Sequence, residues 1–132
     1  MNDINVDDPK LQMDPDYQKF VRDNPGMGYL KIRASSINEA IPASGINIRV
    51  SKVIGNNNVI FFEGATDESG MINDVVLPAP RAITSDLEVP NFTEYKITAT
   101  GDDINQEYTI SICCSITIIQ YINVIPSIGD VS

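Results

Sequence analysis

The chain of 132 residues contains no histidine and no tryptophan. Without histidine, Ser/His/Asp and Cys/His catalysis and most zinc or copper sites are excluded. The two cysteines, Cys113 and Cys114, are adjacent and cannot complete a metal site by themselves. Acidic turns near 67–74 and 102–103 offer oxygen ligands for calcium, but they lack EF-hand spacing. We therefore expect no cofactor, no resident metal and no enzymatic activity.

Basic residues are also scarce. Nine Lys and Arg face eighteen Asp and Glu, which gives a net charge of −9. This balance argues against nucleic acid and anionic membranes as partners, because both select for Lys and Arg. The sequence shows neither a secretory signal nor an uninterrupted apolar segment of membrane-spanning length. We expect a chain made in the cytoplasm without a signal peptide, and no membrane insertion.

The strongest positive signal is the run at 107–126, which contains seven isoleucines and neither Gly nor Pro before Pro126. β-Branched side chains lose rotamer freedom in helices and pack well on a pleated sheet. The run is too long for one ordinary strand. It predicts two central strands joined by a tight turn near Cys114–Ser115.

Five earlier strands are predicted from apolar alternation between clusters of Gly, Asn, Asp and Pro. They cover 27–35, 46–54, 59–63, 71–77 and 92–99. The inward positions of the first two are Leu30, Ile32, Ala34, Ile46, Ile48 and Val50. Together with the final pair, these strands predict an all-β fold, a seven-stranded antiparallel immunoglobulin-like or transthyretin-like sandwich.

A short helix is predicted over 14–23, before the first strand. Asp14 is its N-cap and Pro15 occupies the first helical position. The apolar residues sharing one face are Tyr17, Phe20 and Val21. Such a short helix needs a surface on which to dock.

The first thirteen residues are polar and acidic, with apolar side chains at Ile4, Val6, Leu11 and Met13. Burying these returns less free energy than ordering the segment costs, so the arm should be disordered on an isolated domain. The alternation of apolar and polar residues in this segment is also typical of a strand that adds to a sheet edge of another subunit. The predicted organisation is an arm and helix at 1–26, a sandwich at 27–126 and a tail at 127–132.

Five phrases of the sequence resemble a known family. They are DNPGMGYLKIRAS (23–35), AIPASGINIRVSKV (40–53), FFEGATDESGMINDVVLPAP (61–80), TEYKITATG (93–101) and ITIIQYINVIPS (116–127). They resemble the transthyretin-like, carboxypeptidase-regulatory-type domain of spore-forming Firmicutes, found before peptidoglycan-binding modules in spore cortex-lytic proteins. The resemblance implies a sandwich with a non-catalytic structural or positioning role. No such module follows in this sequence, so we expect the family's cell-wall role to differ here.

The cysteines have two interpretations. Strand alternation directs Cys114 inward and Cys113 outward. They are either small, half-buried hydrophobic side chains, or Cys113 forms a cross-link to another copy. A weaker alternative is an isopeptide bond joining Lys31 to Asn123 beside Glu94, which requires all three inside the core.

The function expected first is a structural subunit that binds itself and forms a ring or filament at the spore or cell surface. Its interface is the arm and helix, through Ile4, Val6, Leu11, Met13, Tyr17, Phe20 and Val21. The alternative is a monomeric binding or positioning module for cell-wall peptidoglycan or a spore protein.

Overall fold

A computed structural model of the chain describes residues 2–36, 41–81, 91–101 and 104–124. These residues form nine strands and two helices. The strands are β1 (Asn2–Asn5), β2 (Gly26–Ser36), β3 (Ile41–Pro42), β4 (Asn47–Ile54), β5 (Asn57–Ala65), β6 (Met71–Ala79), β7 (Thr93–Thr100), β8 (Asn105–Ile112) and β9 (Thr117–Val124). The helices are α1 (Pro9–Gln12) and α2 (Pro15–Asp23).

The strands form two sheets. The first sheet has the order β1-β5-β4-β7-β8. In the second sheet, β2 pairs with β6 and the short β3, and along its other side with β9. Among the described strands, β1 and β5 pair in parallel, as do β2 and β9, while the other ladders are antiparallel.

The core lies between the sheets and follows the predicted alternation. The predicted inward residues are all buried: Leu30, Ile32, Ala34, Ile46, Ile48 and Val50. On β2, the residues between them, such as Lys31 and Arg33, face solvent. The period-two pattern therefore identified the buried face correctly.

The strand count and directions differ from the expectation of seven antiparallel strands. All seven predicted strands are present, and β1 and β3 are additional. The two parallel ladders involve the first and last strands of the described chain. Alternation identifies a half-buried strand but not the direction of its neighbour, which explains the difference.

The run at 107–126 forms β8 and β9, with the predicted turn at Cys114–Ser115. The two strands do not pair with each other, because β8 joins β7 and β9 joins β2. The turn thus carries the chain from the first sheet to the second. Each strand lies at the edge of its sheet among the described strands, so the expectation of a central pair is wrong. β-Branched composition indicates pairing without indicating the number of neighbours.

The predicted helix at 14–23 is confirmed as α2. The Asp14 carboxylate accepts a hydrogen bond from the Tyr17 N–H at 3.3 Å, and Pro15 is at the start. The single turn α1 has no counterpart among the predicted elements. It begins after Asp8, whose side chain accepts from the Lys10 N–H at 2.9 Å.

Candidate interaction surfaces

The N-terminal segment, residues 2–23, packs on its own chain. β1 pairs with β5, and the Val6 N–H donates to the Ile60 carbonyl at 2.9 Å. Leu11 is fully buried in the core, and Ile4 and Val6 pack against that core. The expectation that the arm is disordered on an isolated domain is therefore wrong. That expectation counted only the burial of apolar side chains. It did not include the backbone hydrogen bonds of the β1–β5 ladder or the turn α1, which brings Leu11 to the core.

Two of the predicted contact residues do not contribute to this packing. Met13 is 80% exposed and Val21 is 45% exposed. Val21 follows Phe20 on α2, and consecutive helical residues point about 100° apart. The intrachain contact is made instead by Ile4, Val6, Leu11, Tyr17 and Phe20.

A row of aromatic rings joins α2 to the first sheet. The ring centroids of Tyr17 and Phe20 are 6.1 Å apart, those of Phe20 and Phe61 5.8 Å, and those of Phe61 and Tyr95 5.2 Å. The Tyr95 hydroxyl donates to the Pro78 carbonyl of β6 at 2.5 Å. Burial raises the pKa of Tyr95, so this hydroxyl keeps its proton. The row connects the helix to both sheets.

A charged cluster lies on the face of the first sheet that is turned away from the core. Arg49 contacts Asp3 at 3.2 Å and Glu63 at 2.6 Å. The Asn58 amide donates to Asp3 at 3.0 Å. This hydrogen bond, and then the charge of Arg49, holds the pKa of Asp3 below its ordinary value. The cluster joins β1 to β4 and β5.

Arg49, Glu63 and Asn58 of this cluster also form part of the wall of an open groove of about 580 Å³. Polar side chains of β4, β5 and β7 line it, including Ser51, Asn58, Lys96 and Thr98. Ser51 is 1% exposed. Within the described chain, the Ser51 Oγ and the Asn58 Oδ1 are buried without a hydrogen-bond partner. Unsatisfied buried polar atoms are costly, and a polar ligand could satisfy these two only if their side chains turn towards the groove.

Lys52 lines a neighbouring depression, which shares Ser51, Asn58 and Lys96 with the groove. Its ammonium donates to the Glu94 carbonyl at 2.9 Å and lies 5.8 Å from the centre of the Tyr95 ring. Partial burial lowers the pKa of Lys52, opposed by the charge of Glu94. The carbonyl bond and the ring contact together hold the cation in place.

The cysteines lie in the turn between β8 and β9. Both are half-buried, and no disulfide links them. Cys114 packs against the core, in agreement with its predicted inward position. A Cβ added at Gly26 would lie 2.7 Å from the Cys114 Sγ, and one at Gly28 would overlap Ile112. The two glycines let β2 approach this turn closely; a cross-link through Cys113 remains a prediction.

The weaker candidate sites have different outcomes. Asp67 accepts from the backbone N–H groups of Ser69 and Met71, each at 2.9 Å, so this carboxylate stabilises its own turn. The acidic pair at 102–103 lies outside the described residues. Lys31, Glu94 and Asn123 are all exposed, which contradicts the core position that an isopeptide bond requires.

The outer face of the second sheet carries exposed apolar side chains. They are Met27, Tyr29, Val76, Ile119 and Tyr121, each at least 38% exposed. The pairing of β6, β2 and β9 brings them onto one surface. No sequence signal could have indicated this cluster before the strand order was known.

Within the described ranges, no helix is long and apolar enough to cross a membrane. Those ranges also contain no group of three or more Cys, Asp or Glu arranged to hold a metal ion.

No protein-family model and no curated protein sequence matches the chain. Among solved structures, it is similar to (S)-allantoin synthase, with 11% identity over 83% of this chain and 44% of that chain, and a TM-score of 0.52. It is also similar to Klebsiella pneumoniae 5-hydroxyisourate hydrolase, with 14% identity over 76% and 91% and a TM-score of 0.48. Transthyretin from Sparus aurata shows 13% identity over 72% and 90%, with a TM-score of 0.45.

These likenesses concern the fold alone. The chain is a mostly β protein whose two sheets pack as a sandwich, and its structural neighbours include proteins of the transthyretin-like fold. At such low identities, the likeness is evidence about the fold and not about the activity of this chain.

Proposed function

We propose that this chain is a non-catalytic structural subunit that self-associates by exchanging its N-terminal segment. The observation that supports the proposal is the way this segment is attached. Its contacts with the sandwich are made by one short ladder and a few apolar side chains. Only Asn24 and Pro25 connect it to β2. A short connection of this kind favours domain swapping, because identical contacts can form with a second copy.

The connection also carries specific contacts. The Asn24 side-chain amide donates to the Phe20 carbonyl at 2.8 Å. The Thr93 hydroxyl donates to the Asn24 side-chain oxygen. These bonds hold the end of α2 against β7, so exchange requires them to break and re-form. We expect exchange to be slow and to depend on protein concentration.

Membership in the transthyretin-like domains of spore-forming Firmicutes is part of this proposal, as is a location at the spore or cell surface. The five family-like phrases at 23–35, 40–53, 61–80, 93–101 and 116–127 support it. The absence of histidine from the sequence supports a non-catalytic role.

A disulfide trap tests the exchange. Asn2 and Asn57 are opposite each other in the β1–β5 ladder. The test uses a variant in which the native cysteines are removed by Cys113→Ser and Cys114→Ser, and new ones are introduced by Asn2→Cys and Asn57→Cys. This variant is assembled at high concentration and then oxidised. Opposed ladder residues are close enough for a disulfide. We expect covalent dimers or longer ladders on non-reducing electrophoresis, because β1 of one copy pairs with β5 of another.

The single substitution Asn2→Cys in the same background is the control, since it has no opposed thiol in the ladder. If the double variant forms only intrachain disulfides in samples that sedimentation shows to be oligomeric, the exchange proposal is wrong. An entirely monomeric protein at millimolar concentration also contradicts it.

A second candidate function is a monomeric binding module for cell-wall peptidoglycan or a spore protein. The groove on the first sheet favours it, because polar side chains of β4, β5 and β7 line an open depression of about 580 Å³ there. Peptidoglycan presents hydroxyl and amide groups that suit this lining, whereas the charge of Lys96 is partly offset by the Glu107 carboxylate, 3.9 Å from its ammonium. Arg49 is already paired with two carboxylates, so it adds little attraction for an anion.

Titration of the isotope-labelled chain with soluble peptidoglycan fragments tests this candidate. We expect saturable shifts of the amide signals of Ser51, Asn58 and Thr98, and weaker binding by Ser51→Ala. Val76→Ala, on the other sheet, should bind as the unaltered chain does. Shifts spread over the whole surface, or none, would rule the groove out.

A further inference from the structure

The sheet edges differ in how they discourage pairing with another chain. Unpaired edges attract foreign strands, and proteins usually protect them with charge, proline, a bulge or short length. β1 is short and carries Asp3, and β8 carries Glu107. β6 contains Pro78 and an irregular register near Asp74, which has φ of 66°. β9 has none of these devices: its eight residues, TIIQYINV, are uncharged and contain no proline.

The backbone of β9 presents hydrogen-bonding groups at this edge. The Tyr29 N–H of β2 donates to the Ile116 carbonyl at 3.0 Å, and Tyr29 is opposite Thr117. In a parallel ladder with this register, Thr117, Ile119, Tyr121 and Asn123 turn their N–H and carbonyl groups away from β2. No other described strand lies beyond β9.

Side chains already occupy two of these carbonyls. The Gln120 amide donates to the Tyr121 carbonyl at 2.9 Å, and the Gln106 amide donates to the Asn123 carbonyl at 3.0 Å. These bonds confirm that the carbonyls face away from β2. Both hydrogen bonds are exposed to solvent, so these flexible side-chain amides can return to water when a strand arrives.

Charge favours a second copy of this chain as the occupant. At a net charge of −9, two copies repel unless they meet where carboxylates are few. β9 is neutral, and the charged residues of the adjacent β2 are the cations Lys31 and Arg33. Within the described chain, neither cation has a carboxylate within salt-bridge distance. This edge is therefore one at which two acidic copies can approach.

We propose that β9 pairs antiparallel with β9 of a second copy, with Ile119 opposite the partner subunit's Tyr121. This register sets the outward-facing backbone groups of Thr117, Ile119, Tyr121 and Asn123 against those of the partner. It also pairs Ile119 and Tyr121, each 49% exposed, as a β-branched residue against an aromatic ring. The register is self-complementary, so a two-fold axis relates the copies.

The paired edge lies in the second sheet, whereas the exchanged segment packs mainly on the first sheet. The inference deepens the proposed self-association but does not require exchange of the N-terminal segment. If both contacts form, each copy has two different interfaces, and alternating them gives a ring or a filament, depending on the angle between the two axes.

Charge-reversal pairs test the register. One double variant carries Ile119→Lys and Tyr121→Lys, and the other carries Ile119→Glu and Tyr121→Glu. In a dimer of either variant with itself, like charges are opposite each other. We expect each double variant to dimerise about tenfold or more weakly than the unaltered chain in analytical ultracentrifugation. An equimolar mixture should form the heterodimer, because every altered position then faces its opposite charge.

Val76→Lys is the matched control, since it adds a charge to the same face on the far strand β6. Circular dichroism verifies that each variant is folded. The unaltered chain provides an independent measurement: the amides of Ile119 and Tyr121 should become protected from hydrogen exchange as protein concentration rises.

Three results overturn the inference. Dimerisation that is equally tight in both double variants, while the disulfide trap gives only intrachain bonds, places the contact elsewhere. A monomer at millimolar concentration whose Ile119 and Tyr121 amides exchange rapidly shows an edge without an occupant. A monomer in which these amides are protected at every concentration shows that the chain covers its own edge. The disulfide trap remains informative in each case, so the two contacts fail separately.

Discussion

β1 and β9 are both edge strands that pair in parallel with one neighbour, yet their edges differ. β1 has four residues, and Asp3 binds Arg49 and Asn58 beside it. β9 has eight residues, no charge and a row of outward-facing backbone groups. The first edge is closed by charge and short length, whereas the second is open to a neutral partner.

The two regions are also held in different ways. The N-terminal segment depends on a few apolar side chains, of which Leu11 is completely buried. β9 depends on a continuous ladder with β2, and it contributes Ile122 to the core. A local loss of apolar contact should therefore release the N-terminal segment without disturbing β9.

The largest expected effect comes from Leu11→Ala. Removing a fully buried leucine side chain typically costs about 2–5 kcal/mol, because it loses burial and leaves a cavity. We expect the midpoint of urea unfolding to fall accordingly. Hydrogen exchange should become faster at the Val6 amide, while the β9 amides that face β2 remain protected.

Met13→Ala is the matched control in the same segment, because Met13 is 80% exposed. Its free energy of unfolding should change by no more than about 0.5 kcal/mol. Equal losses in the two variants would show that Leu11 does not anchor the segment. Equal loss of protection in β9 would show that the two regions unfold together.

The smallest expected effect comes from Asp3→Asn, which removes the charge at the β1 edge. The pKa of Asp3 is lowered in the folded state, chiefly by the Asn58 hydrogen bond. Its ionised form therefore stabilises the fold above the ordinary pKa of aspartate, and this contribution is lost as the pH falls through the lowered value. We expect the variant to be slightly less stable at neutral pH and equal to the unaltered chain in strong acid.

Thermal unfolding from neutral to strongly acidic pH measures this difference. Asp7→Asn removes an exposed carboxylate of the same segment outside the Arg49 cluster, so it controls for net charge. A difference that persists unchanged in strong acid would mean that the Asp3 charge is not the cause.

Local signals in the sequence predicted much of this molecule. Asp14 and Pro15 defined the start of α2, and period-two alternation placed Leu30 and Ile32 in the core. The turn at Cys114–Ser115 also followed from strand length. Each of these features depends on residues close together in the chain, so it leaves a readable pattern.

The interaction surfaces were less predictable. The apolar positions Ile4, Val6 and Leu11 were recognised, but their position on their own core was not, because the pattern of a strand does not identify its acceptor. The groove at Ser51 and Asn58 is completed by Lys96 and Thr98 of β7, which are far from them in sequence. The open edge of β9 depends on which strands surround it.

The sequence by itself determined an acidic, histidine-free β-sandwich, its short capped helix and the inward face of its strands, because composition and short-range periodicity specify these properties. The tertiary structure decided that β1 joins β5, that β8 and β9 separate into different sheets, and that β9 forms an edge. The physical reason is that a strand satisfies its backbone hydrogen bonds with any partner of suitable geometry. The choice among partners is made by packing the whole chain around one core.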